Sequence, residues 1–194
     1  MLYNVAHFLR DNLCWLWNFI EYVNGEFFWL RYGRKLKAFT FTIIPDGFEL
    51  IPMSDIPTDK LVSFFRRQPK EAYTYFRPHG FDQKSIQRLQ CNKSFLAYVL
   101  KDSKNGNFAG YCFNRCFING KGFRGRMVDF NYRGKGLGTA MNKMLNEIGF
   151  GIGLRLFETV SKNNVASYRS ALSASNIMVV KEMEGNELYL EILP

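Results

Sequence analysis

Histidine and cysteine are scarce in this chain. Its 194 residues include two histidines and four cysteines, at His7, His79, Cys14, Cys91, Cys112 and Cys116. No CxxC pair occurs, so the usual ligand set of a zinc site is missing and no metal is expected. The cysteines are scattered rather than set in a disulfide framework, and read as buried free thiols of a reducing compartment. Cys112 and Cys116 lie an even number of residues apart in a strand-like run, which puts them on one face. The opening lacks a basic stretch followed by a clean apolar core, so a secretory signal is not expected. Asp11, Glu21 and Glu26 interrupt its aromatic run, leaving no unbroken span for a bilayer. Internal repeats and low-complexity linkers are absent as well. A cytoplasmic protein is the expectation.

What is present is globular in kind. Hydrophobic residues make up 47% and charged residues 22%, enough for one domain with a substantial core. The formal charge is +9, which favours phosphate-bearing partners, anionic lipid or nucleic acid without choosing among them. Two concentrations of cations stand out, Arg31/Arg34/Lys35/Lys37 and Arg124/Arg126/Arg133/Lys135.

Residues 1–46 differ from the rest and read as an aromatic-rich helical extension, followed by a domain over 47–194. On a helical projection Asn4, His7, Asp11, Asn18 and Glu21 form one narrow polar stripe, and most of the remaining circumference is apolar. Such a helix needs covering. The cover is the main domain, a second copy, or a membrane interface with Arg31 to Lys37 on lipid headgroups.

From Phe48 the pattern is mixed. "FELIPM" reads as a strand and "TDKLVSFFRRQ" as a helix opened by Thr58 or Asp59. The Pro/Gly loop "YFRPHGFD" leads to a second helix capped by Asp82. "SFLAYVL", "FAGYCFNRCFI" and "FRGRMVDF" are strands joined by the turn-rich "KDSKNGN" and by Asn119-Gly120. Leu137, Met141, Met144, Leu145 and Ile148 then form an apolar stripe at helical spacing. A strand "LRLFETV", a short helix "NNVASYRSAL" and a terminal hairpin turning at Gly185-Asn186 complete the chain.

Between the last strand of the first set and the long helix stands "RGKGLG", Arg133 to Gly138. The first N–H groups of a helix lack intrahelical partners and carry the positive end of its dipole. Glycines there let backbone approach a phosphate closely, and Arg133 and Lys135 add mobile charge. The segment reads as an anion cradle. It is not a P-loop, because Gly136 rather than Ser or Thr follows Lys135. A dinucleotide fingerprint needs GxGxxG after a first parallel strand, and here GxGxG follows hairpins. "KGFRGRMVDF" begins like an RNA-binding RNP1 motif but has Arg124 and Gly125 at its next two positions. No nucleic-acid motif remains beyond charge and aromatics, and no nucleic-acid partner is expected.

The remaining pattern, Arg133-x-x-Gly136-x-Gly138 with Val128 five residues before the arginine, resembles the acyl-CoA pyrophosphate loop of the GCN5-related N-acetyltransferase (GNAT) superfamily. "NFAGYCF" is similar to that family's third strand and "LRLFETVSKNN" to its fifth, running into Asn164. The resemblance covers Phe48 to Leu193. It implies an α/β (α+β) fold, a mixed, mostly antiparallel central sheet flanked by helices and here preceded by the helical extension. It also implies acetyl-CoA as cosubstrate, an amine acceptor, and a pantetheine arm lying where the fourth and fifth strands splay apart. Backbone groups near Met127 and Val128 would bind that arm. Arg133, Gly134, Lys135, Gly136, Leu137 and Gly138 would wrap the pyrophosphate, and Asn164 would meet the cofactor from the other side. Alanine at Gly134, Gly136 or Gly138 would be excluded by the pyrophosphate itself.

Direct attack of an amine on the thioester needs a proton acceptor and an oxyanion donor. His79, Asp129 and Glu158 are the candidate bases. Tyr168 is the candidate acid for the leaving thiolate, although it falls three residues short of the family's tyrosine position, which holds Ala171. Ser175-Asn176 likewise replaces the family's glycine–phenylalanine. These departures leave open a second reading, a non-catalytic acyl-CoA sensor or interaction module. The acceptor side falls to residues 55–95 and the terminal hairpin, where Tyr73, Tyr75, Phe76, Arg77 and His79 could stack on a ring and pair with a phosphate. "YFRPHGFD" is also similar to acetyltransferases of bacterial surface-polysaccharide synthesis. That similarity implies an amino-sugar acceptor on a nucleotide or lipid carrier.

Overall fold

The structure, a computed structural model, describes residues 14–194. After a long helix α1 (Cys14–Ala38), the elements run β1 (Phe48–Pro52), α2 (Thr58–Arg66), α3 (Gln83–Gln90), β2 (Phe95–Asp102), β3 (Phe108–Cys116) and β4 (Lys121–Val128). Then come α4 (Leu137–Ile152), β5 (Arg155–Ser161), α5 (Val165–Ala174), β6 (Asn176–Met183) and β7 (Glu187–Leu193). The seven strands form one sheet in the order β1-β2-β3-β4-β5-β7-β6. All neighbours are antiparallel except β4 and β5, which run parallel through the α4 crossover. This is the mixed, mostly antiparallel sheet that the hydrophobic pattern and the resemblance led one to expect.

Alternation along the strands divides the core. On β3, Tyr111 and Phe113 face α2 and α3, where they meet Phe65, Ile86 and Leu89. Cys112 faces the other way, onto Met141, Met144 and Leu145 of α4, and a bulge at the start of β3 turns Ala109 to the same side. Burial pushes the Cys112 thiol up to about 12, so it acts as a small hydrophobe rather than a nucleophile. The turns fall where sequence put them. Gly120 and Gly185 take positive φ of 84° and 77° at the two hairpins, and the Asp82 side chain accepts the Ser85 N–H to cap α3. Helix α2 opens at Thr58, as expected, with Pro57 before it and no side chain capping it. β4 ends at Val128, and Asp129 instead caps a 3-10 turn, Phe130–Tyr132.

Helix α1 docks through its narrow polar side. Asn18 accepts from Arg88, Glu21 lies 3.9 Å from Arg115, and Asn24 donates to Ser94 and to the Cys116 carbonyl. Phe28 and Tyr32 add an apolar foot against Cys116, Ile152, Leu154 and Leu156. The stripe positions Asn4, His7 and Asp11 lie outside the described residues.

Candidate active site

The parallel register of β4 and β5 runs from Lys121↔Arg155 to Phe123↔Phe157 and stops. Beyond Phe123, residues Arg124 to Val128 keep β3 on one edge but have no β5 partner on the other. A strand edge with free N–H and C=O groups is therefore presented to whatever lies between the parted strands. Met127 is buried on the α2/α3 side and Val128 packs toward α4.

The glycine segment follows directly. Asp129 N–H bonds the Ala109 carbonyl, the short turn buries Tyr132, and the chain then passes exposed Arg133, Gly134, Lys135 and Gly136. Gly134 and Gly136 both take φ of 75°, and Gly136 is the residue before α4. The left-handed geometry is costly for residues with a Cβ, although a Cβ at either position would meet nothing within 4 Å. In the protein alone, then, backbone conformation rather than crowding calls for glycine there. Gly138 differs, since its Cβ would sit 3.2 Å from the Ser170 hydroxyl of α5. Leu137 anchors the helix start in the core, and the Lys135 ammonium lies 5.0 Å over the Tyr132 ring.

The second cationic concentration does not form one surface patch. Arg124 and Arg126 are turned inward, and the Glu158 carboxylate lies between them, with Oε2 2.7 Å from Arg124 Nε and 3.5 Å from Arg126 Nη1. Arg126 also donates to the Ser167 carbonyl, 2.9 Å away, and so ties β4 to α5. Burial pulls its guanidinium down to about 10 against the opposing pull of Glu158. Arg124 reaches Asn146, which donates to Ser175. Within this group Arg124 Nη2 and Glu158 Oε1 are buried without a partner.

The other singled-out side chains are dispersed around the parting. Asp129 is fully buried and accepts from Arg67, Gln68 and the Asn131 N–H, joining the end of α2 to the glycine segment. Asn164 caps α5 by accepting the Ser167 N–H. The Tyr168 ring packs on Val160, Leu188 and Leu190. His79 lies among Phe65, Phe81, Phe95, Tyr111 and Phe113. Its Nδ1 must donate to the Gly80 carbonyl at 2.8 Å, so Nε2 accepts from the Tyr111 hydroxyl at 3.0 Å. Desolvation pulls its pKa down to about 4, helped by Arg115 and Arg88 and opposed by the Gly80 bond. The aromatic loop before it turns inward too. Tyr73 bonds the Phe65 carbonyl, Phe76 and Phe81 pack on the α2/α3 core, and Tyr75 is left exposed.

A cavity of about 500 Å³ opens between β1, α2 and the β2–β3 turn. Asp55, Asp59, Lys60, Arg67 and Lys101 line it. Periodicity could not reveal it, because its lining comes from three separated segments. Among the described residues no cluster of three metal-ligating side chains occurs.

Protein-family models and curated protein sequences yield no match to this chain. Solved structures do. The GNAT domain of PAT from S. lividans superposes with a TM-score of 0.63 at 15% identity, over 74% of this chain and 88% of that one. A GNAT-family acetyltransferase from Bacillus anthracis gives 0.59 at 15% identity, over 78% and 97%. AAC(6')-Ib, solved with acetyl-CoA, gives 0.55 at 16% identity, over 76% and 93%. At such identities the likeness is one of architecture: the chain has the fold of the GNAT acetyltransferases.

Proposed function

We propose that this protein is an N-acetyltransferase that takes acetyl-CoA as donor and transfers the acetyl group to a primary amine. The observation that carries this reading is the pair of left-handed glycines, Gly134 and Gly136, opening α4 beside the unpaired edge of β4. N–H groups of Arg133 to Gly138 would hold the pyrophosphate, with Arg133 and Lys135 screening its charge. The free edge at Arg126 to Val128 would bond the pantetheine arm and the developing oxyanion, and Asn164 would flank the cofactor from α5.

In this reading the amine attacks the thioester carbon, the C–S bond breaks, and the amine proton leaves to solvent or a nearby acceptor. Glu158 Oε1, buried and without a partner, is the acceptor we favour at the parting. Asp129, whose oxygens already take three donors, positions the glycine segment. His79 would act only through the Tyr111 hydroxyl, which donates to its Nε2. A thiol is acidic enough for CoA to depart as thiolate, so Tyr168 is not required as an acid.

For the acceptor we favour an amino sugar bearing phosphate, on a nucleotide or lipid carrier of polysaccharide synthesis. Asp55 and Asp59 in the 500 Å³ cavity suit an ammonium, and Lys60, Arg67 and Lys101 suit a phosphate. Calorimetric titration with acetyl-CoA, with CoA and adenosine as controls, tests the donor half. Pyrophosphate-dependent binding supports it, and no binding at millimolar acetyl-CoA overturns it. Turnover of amino-sugar nucleotides against simple polyamines then tests the acceptor. Binding without any turnover would instead favour the sensor reading, for which the Arg126–Ser167 tie across the parting is the supporting observation.

A further inference from the structure

Helix α1 is docked the wrong way round for a helix whose only task is to complete a core. Its polar residues Asn18, Glu21 and Asn24 face the domain and are matched there by Arg88, Arg115, Ser94 and the Cys116 carbonyl. Apart from the foot formed by Phe28 and Tyr32, its large apolar residues face mostly outward. Trp15 is 71% exposed, Phe19 59%, Tyr22 64%, Phe27 52% and Leu30 79%. At 100° per residue these side chains share the half of the helix opposite Phe28 and Tyr32. The stripe from Trp15 to Leu30 is about 22 Å long at 1.5 Å per residue. No helix of the described residues is long and apolar enough to cross a membrane.

The charges beside this stripe decide its partner. From Phe27 to Ala38 the helix carries Arg31, Arg34, Lys35 and Lys37 and no carboxylate. Arg34 and Lys37 follow Leu30 on the outward half and are exposed, while Lys35 is turned back to the Ile152 carbonyl. The one carboxylate on the outward half, Glu26, is paired with Lys93 at 2.6 Å. A second copy docked face to face through α1 would bury the aromatic stripe but bring the cations only Glu26, which is already paired with Lys93. An anionic lipid surface meets both, with rings at the headgroup level and cations on phosphate.

We infer that α1 lays its outward face, Trp15 to Leu30 with Arg34 and Lys37, on a membrane surface rich in anionic lipid. The interaction is peripheral and independent of the proposed acetyl transfer. Full-length protein is spun with vesicles of phosphatidylcholine alone and of equal parts phosphatidylcholine and phosphatidylglycerol. It should pellet with the mixed vesicles and partition at least about tenfold less onto the neutral ones. Phe19→Glu with Leu30→Glu should abolish pelleting at an unchanged thermal midpoint, because neither side chain is in the core. Arg34→Ala and Lys37→Ala should each weaken binding to the mixed vesicles by about fivefold and leave the neutral ones alone. Failure to pellet with either vesicle overturns the inference, as does equal partition onto both that the substitutions do not change. A concentration-dependent dimer in light scattering that Phe19→Glu disperses, with no lipid binding, would also overturn it and assign the face to a second copy.

Discussion

Lowering the pH from 8 to 5 should unfold this protein more readily, and His79 should account for most of the effect. In the folded chain the imidazole titrates at about 4 rather than 6.5, chiefly because it is desolvated. As pH falls through 6.5 the unfolded chain takes up the proton first, so stability is full above that value and declines toward 4. At pH 5 the difference in proton binding is worth about 2 kcal/mol, and about 3 kcal/mol once both states are protonated. Carboxylates of ordinary pKa contribute little above pH 5, which keeps the window clean. With a urea slope of about 2 kcal/mol per molar, the unfolding midpoint should drop by roughly 1 M between pH 8 and 5. His79→Gln keeps a polar side chain near Tyr111 without a titrating group, and retains His7. Its midpoint should be nearly flat over the same range, whatever its absolute stability. Equal loss in the parent and in His79→Gln would refute the placement of a neutral imidazole in this aromatic enclosure.

Gly136→Ala should lower stability by about 1–2 kcal/mol because of the positive φ, whereas Gly136→Asn, which tolerates that region, should cost less; thermal unfolding compares them. Both should weaken acetyl-CoA binding by at least tenfold if the backbone there meets a phosphate, so the Asn variant separates folding from binding. Asp129→Ala leaves Gln68 and the Asn131 N–H without their acceptor and should cost about 3 kcal/mol in denaturant titration, with Asp129→Asn recovering part of it. Gly125→Ala would place a Cβ 2.5 Å from the Phe113 ring, and overpacking of that kind should cost about 1–3 kcal/mol, read as a lower thermal midpoint.

Local chemistry explains why so much of the fold was readable. The helix stripe at Leu137 to Ile148 and the alternation in "FAGYCFNRC" report their own burial. The turn residues Gly120, Gly185 and Asn186 report positive φ. The glycine segment was legible for the same reason, as its conformation is set by its own residues. What escaped reading depends on residues far apart in sequence. Nothing local says that Arg124 and Arg126 point inward, because that follows from Glu158 arriving on β5 and Ser167 on α5. Nothing local places Asp129 under Arg67 and Gln68. Nor does spacing reveal that rings of the loop "YTYFRPHGF" pack inward here; Tyr73, Phe76 and Phe81 do so because α2 offers Phe65.

The inward arginines bear on how a donor could enter. Two guanidiniums against one carboxylate leave a buried excess of positive charge where β4 and β5 part, and Arg124 Nη2 is unpartnered there. Burying such an excess costs stability unless water or a ligand completes its hydrogen bonds. Arg126 closes the gap to α5 through the Ser167 carbonyl, so an arm threading the parting must displace that bond or pass beside it. Replacing Arg126 by Met would remove the tie and keep the apolar stem. If the bond holds the slot shut, Arg126→Met should bind acetyl-CoA faster than the parent in stopped-flow. If Arg126 instead grips the donor, the variant should release it faster, and the two rate constants tell these roles apart.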